Sequence, residues 1–198
     1  MSLYTRLIDT RYGTWRGMVR LALADLRWLF GGVKRFTRPD FDRVERLVFV
    51  CLGNVCRSPY AQRLAEELGV PTASFGLSTH TGGLADADAR RAAQRAGRSL
   101  DGHRAVDMKD FGVRDGDLLL VMEVGQAIRL RDRLDGSRAQ VALLGLWAHP
   151  FRIHIHDPVT LSDAYFDTCY ALLETAVKGV VREWRAVDRS SNGRDSAG

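Results

Sequence analysis

A cysteine followed six residues later by an arginine, Cys51 and Arg57, stands in the run Cys51-Leu52-Gly53-Asn54-Val55-Cys56-Arg57-Ser58-Pro59. A thiolate is a strong nucleophile and a guanidinium grips two phosphoryl oxygens at once, so the pair suits attack on a phosphate ester. With three cysteines and 26 arginines in the chain, the spacing alone is weak, and its surroundings decide. A loop entering a helix N-terminus aims backbone N–H groups into one concavity, and the helix dipole adds positive charge there. Residues 52–58 are therefore read as a phosphate cradle with Cys51 at its base. Gly53 is expected to adopt backbone conformations closed to other residues, and Asn54 a left-handed one. Cys56 is read either as a core thiol or as a trap for oxidised Cys51. Phosphoryl transfer also needs an acid for the leaving oxygen and a base for the water that follows. Asp157, in His156-Asp157-Pro158, is the candidate.

These residues need elements to position them. The run Leu47-Val48-Phe49-Val50 predicts a strand buried on both faces, feeding the cradle. A helix over 59–69, a strand over 73–77, a helix over 85–96 and a strand over 118–121 follow. A helix over 126–134, a strand over 141–144 and a long helix over 161–186 complete the pattern. Strands alternating with helices predict an α/β fold: a four-stranded parallel sheet with helices on both faces, a phosphate-binding loop after the first strand, and an N-terminal amphipathic helical extension. In such sheets the working site lies beyond the carboxyl ends of the strands. Residues 1–44 are read as a basic amphipathic extension and linker, 45–187 as the catalytic domain, and 188–198 as a flexible tail.

Charge is unevenly placed. Residues 1–44 carry nine Lys and Arg against four Asp and Glu, while residues 45–198 carry 20 of each sign. A neutral body argues against nucleic acid as partner. Within 14–30, Trp15, Met18, Val19, Ala22, Leu23, Leu26 and Leu29 recur at helical spacing beside Arg16, Arg20 and Arg27. This helix is read first as packing on the domain or against a dimer partner, and alternatively as a membrane-surface anchor or a docking element for substrate. Three cysteines without an export signal point to the cytoplasm. His149, His154 and His156 lack paired metal-ligand spacing, so no metal or cofactor is expected.

The cradle and the Asp-Pro segment together resemble the low-molecular-weight protein tyrosine phosphatases. Further similarity runs through Ser78-Thr79-His80-Thr81-Gly82-Gly83, residues 100–105, 118–123 and 141–147, and covers roughly residues 46–186. The resemblance implies Cys51 as nucleophile, Arg57 as ligand of phosphate and transition state, and Asp157 as general acid, with Asn54, Ser58, Ser78 and His103 in support. Met122-Glu123 and Leu144-Gly145-Leu146-Trp147 look most like the bacterial branch linked to capsule and exopolysaccharide production. That implies a phosphotyrosine protein as substrate, including a membrane-bound tyrosine autokinase. Val159 and Leu84 stand where the family often places aromatic residues, and Val106 and His80 also depart from its pattern. Phosphoarginine phosphatases tend to carry a small polar residue where Val55 stands, which favours an aryl phosphate here. The alternatives are a catalytically weak phosphotyrosine-binding module and an arsenate reductase of the same fold. The latter needs relay cysteines, and none occurs between Cys56 and Cys169.

Overall fold

The computed structural model describes residues 3–134 and 136–195, and side-chain surroundings for 7–134 and 136–187. Its β-branched and leucine-rich runs form four parallel strands: β1 (Arg46–Cys51), β2 (Thr72–Gly76), β3 (Asp117–Val121) and β4 (Gln140–Leu143), in the order β2-β1-β3-β4. Alternation along β1 sends Leu47, Phe49 and Cys51 to one face and Val48 and Val50 to the other. Helices α3 (Arg57–Glu67), α4 (Ala87–Arg95) and α6 (Asp163–Asp195) contribute to the first core, and α5 (Val124–Arg131) to the second. The strand ends Cys51 and Val121 lie on neighbouring strands, so the loops after β1 and β3 open on one edge.

Two helices precede the sheet. The expected helix over 14–30 is α2 (Trp15–Leu29), capped by Thr14 Oγ1 accepting from Gly17 N at 3.0 Å. The helix α1 (Leu3–Tyr12) was not anticipated. Val33 and Phe36 are fully buried in the second core and Phe41 in the first, so the charge boundary at residue 44 is not a packing boundary. At the other end α6 runs on to Asp195, beyond the expected stop at 186, because nothing between Val187 and Asn192 breaks a helix. Residues 188–195, expected as tail, are thus helical, and the rest of that expectation falls on 196–198, outside the described residues.

Candidate active site

The cradle begins where β1 stops. Asn54 has φ 51°, the left-handed conformation expected of it. Gly53 does not match its expectation: its φ lies outside the left-handed region, and an added Cβ would meet only Val55 Cγ2 at an ordinary 3.4 Å. The glycine that the cradle requires is Gly76, whose Cβ would stand 2.9 Å from Leu52 O and 3.0 Å from Gly53 C. Its absence lets the end of β2 close against the loop, with Leu77 N donating to Cys51 O and Ser78 N to Leu52 O, each at 3.0 Å.

Asn54 is buried at the centre of the loop's polar bonds. Its Nδ2 donates to Ser58 Oγ and to Ser74 Oγ, both at 2.8 Å, and its Oδ1 accepts from Val106 N at 2.9 Å. An amide nitrogen only donates, so both serine oxygens accept there and each keeps one O–H to give away. Ser74 gives its own to Gln62 Oε1 at 2.6 Å, and Ser58 has Cys51 Sγ at 3.1 Å. Asn54 N also donates to that sulfur, at 3.3 Å. The sulfur thus has one backbone N–H aimed at it and one hydroxyl beside it with a hydrogen free to give. His103 Nε2 lies 2.8 Å from Asn54 O. Since a carbonyl only accepts, Nε2 carries the hydrogen; burial pushes this ring's pKa down and keeps it neutral.

Arg57 opens α3 and is 1% exposed. Its Nη1 donates to Glu123 Oε1 at 2.7 Å and to Ile155 O at 2.8 Å, and its Nη2 donates to Asp157 Oδ2 at 2.6 Å. Its Nε is buried without a partner among the described residues. Burial opposes the guanidinium charge, but Asp157, Glu123 and Cys51 outweigh it and hold the group firmly protonated. Burial likewise raises Glu123, and Arg57, with His154 and His156 behind it, overcomes that and keeps the carboxylate ionised. Burial foremost, and then Asp86, push the Cys56 thiol up, the behaviour of a core thiol.

The acid loop, 151–157, is stitched to the body by Ile155 N on Met122 O at 2.9 Å and by Tyr165 Oη on His156 O at 3.3 Å. It is also stitched to the N-terminal helices. Arg152 Nη1 donates to Arg11 O at 2.7 Å while its guanidinium sits 4.7 Å from the centre of the Tyr12 ring. A Cβ on Gly17 would come 2.8 Å from His156 Cδ2, and Phe151 packs its ring 5.4 Å from Trp28. His156, one residue before Asp157, is thus wedged under α2.

The structure brings Cys51, Asn54, Arg57, Ser58, His103 and Asp157 together around one cradle. Ser78 meets it through its backbone alone, and its side chain is exposed. The hydroxyl that ties Asn54 is that of Ser74, two residues before the end of β2. Sequence reasoning also missed Glu123 as the brace of Arg57. The signal was present as a carboxylate two residues past a buried strand, on the edge where active sites form. Leu52, Leu84 and Val159 are exposed apolar residues: one in the loop, one two residues before Asp86, whose N–H bonds Val55 O, and one two residues after Asp157. Among the described residues no cluster of His, Cys, Asp or Glu is suited to a metal ion.

The profile of the low molecular weight phosphotyrosine protein phosphatases matches residues 46–191. The chain is 37% identical over 139 residues to the probable low molecular weight protein-tyrosine-phosphatase AmsI of Erwinia amylovora, covering 68% of this chain and 94% of that one. To the low molecular weight protein-tyrosine-phosphatase Wzb of Salmonella typhi it is 33% identical over 151 residues, covering 75% and 97%. The crystal structure of the Erwinia amylovora tyrosine phosphatase AmsI superposes with a TM-score of 0.60 at 34% identity, over 71% of this chain and 93% of that one. Sequence, sheet order and cradle agree, and the chain belongs to the low molecular weight phosphotyrosine protein phosphatase family.

Proposed function

We propose that this chain hydrolyses phosphotyrosine in proteins through a phosphocysteine at Cys51, and the observation that carries the reading is the convergence of Asn54 N and Ser58 Oγ on the Cys51 sulfur. The thiolate attacks phosphorus, an S–P bond forms, the O–P bond to the aryl group breaks, and the leaving oxygen takes a proton from Asp157. A water then gives its proton to the Asp157 carboxylate and its oxygen to phosphorus; the S–P bond breaks and inorganic phosphate departs. Leu52, Gly53, Asn54, Val55, Cys56, Arg57 and Ser58 form the loop that holds the phosphoryl group. Without substrate, Asp157 is ion-paired to Arg57. A phosphate dianion competes for the guanidinium, whose planar fork matches phosphoryl oxygens, and frees the Asp157 carboxyl to face the leaving oxygen.

Leu52, Leu84 and Val159 give the rim aliphatic surface for a phenyl ring, and Val55 offers no polar group for a guanidino substrate. A tyrosine-rich tail of a membrane-bound autokinase is the substrate we favour. Three unpaired cysteines support a reducing, cytoplasmic setting. Cys169, the thiol that an arsenate relay would have to call on, is fully buried, and that burial pushes it up to about 12. Turnover of para-nitrophenyl phosphate and of phosphotyrosine peptides tests the reading. Cys51→Ser is expected to abolish turnover yet retain phosphate, and Asp157→Ala to slow phenyl phosphate more than para-nitrophenyl phosphate. Equal slowing of both would remove Asp157 from the acid role, and thiol-dependent arsenite production without aryl phosphate turnover would replace the whole reading.

A further inference from the structure

Helix α2 is docked through its small side. Gly17 and Ala24 are buried against the domain, whereas Trp15, Leu23, Leu26, Leu29 and Phe30 each leave half or more of their surface exposed. The apolar stripe legible in the sequence therefore points away from the protein. Its cations Arg16, Arg20 and Arg27 are exposed beside it, while the one carboxylate of α2, Asp25, is half-buried within the field of Arg152. Past the C-terminal end of α2, Trp28, Leu29, Lys34 and Arg38 line a depression, and Arg38 also borders a hollow of about 550 Å³. Arg35, Arg38, Arg43, Arg131 and Arg138 line that hollow, and no described carboxylate does.

We propose that this face rests on an anionic lipid bilayer, with the outer stripe of α2 lying in the plane of the interface and the arginine hollow holding lipid headgroup phosphates. An amphipathic helix with aromatic residues near both ends and basic flanks has the composition of an in-plane anchor, and no helix among the described residues is long and apolar enough to cross a membrane. A second copy of the chain is a poorer occupant, because a two-fold contact centred on the hollow would set its arginines against the same arginines of the other copy. Nucleic acid would use the arginines but leave Leu23, Leu26 and Leu29 without a partner, since aliphatic side chains do not stack on bases.

The test is co-sedimentation of the full chain with vesicles of phosphatidylcholine alone or with a third of phosphatidylglycerol. Binding to the anionic vesicles is expected to exceed binding to the neutral ones by about tenfold or more and to fall with added salt, with tryptophan emission shifting to the blue. The double variant Leu23→Glu, Leu26→Glu is expected to stay in the supernatant while hydrolysing para-nitrophenyl phosphate at the unaltered rate, which shows that it is folded. Equal sedimentation with both vesicles, or with neither, overturns the proposal. So does a dimer in light scattering that the double variant abolishes, or capture of soluble polyphosphate by a chain that ignores vesicles. None of these outcomes bears on the phosphatase chemistry, which is read separately.

Discussion

Around the Cys51 sulfur the bonds of the phosphate loop close among residues 51–106: Asn54, Ser58, Ser74, Gln62, His103 and Val106 satisfy one another within the span that the family profile covers. Across the site, the loop that carries Asp157 leans on Arg11, Tyr12, Gly17 and Trp28, which all lie outside that span. The proposed nucleophile is thus organised by its own neighbourhood, and the proposed acid by residues outside the matched span. Damage to the two regions should accordingly read out differently, in capture of phosphate on one side and in protonation of the leaving group on the other.

The harshest way to break the contrast is Asn54→Ala. It strands Ser58, Ser74 and Val106 N and places a Cβ-bearing residue without a local hydrogen bond at positive φ, so a loss of roughly 4 kcal/mol in urea unfolding is expected, with turnover down about a hundredfold or more. Next comes acid. Burial holds the His154 pKa at about 4, against an ordinary value of 6.5, so the folded state resists a proton that the unfolded chain accepts. Stability present above pH 6.5 should fade as pH drops toward 4, by roughly 3 kcal/mol from this residue, and His154→Gln should flatten the slope. Removing residues 1–30 keeps Val33 and Phe36 in the core but strips the acid loop of its outer support. About a tenfold loss with phenyl phosphate, a smaller one with para-nitrophenyl phosphate and unchanged vanadate affinity are expected. The mildest probe, Gly17→Ala, sets a Cβ against Tyr12 O and 2.8 Å from His156 Cδ2. It should reproduce the same leaving-group pattern about threefold, and a loss of vanadate affinity instead would mean that the arm supports the cradle as well.

Much of this was legible from residue order. A buried strand, a loop with Asn54 and Arg57, and a helix specify the cradle, because the strand and the dipole leave an anion few other places to sit. The proposed acid, Asp157, was a candidate from chemistry, but Asp-Pro by itself signals a turn, and the resemblance is what singled it out. The supports were not legible. Ser74 reaches Asn54 across the β1–β2 pairing, and Glu123 reaches Arg57 from just past β3, so both depend on strand order. The stripe on α2 announced an amphipathic helix but not its facing: hydrophobic periodicity assumes the large apolar side turns inward, and here Gly17 and Ala24 allow close approach instead. Gly53 drew the eye by its place in the motif, whereas the steric demand falls on Gly76, remote in sequence.

The hydrogen-bond chain through Asn54 runs in one sense only, because its Nδ2 has hydrogens and its Oδ1 has none. Ser58 Oγ therefore accepts from Asn54 and keeps its one hydrogen free to turn toward the sulfur, 3.1 Å away. In the proposed cycle, the sulfur that leaves phosphorus in the second step meets the Asn54 N–H and a Ser58 hydrogen free to turn toward it. On that reading one carboxyl serves both halves of the reaction.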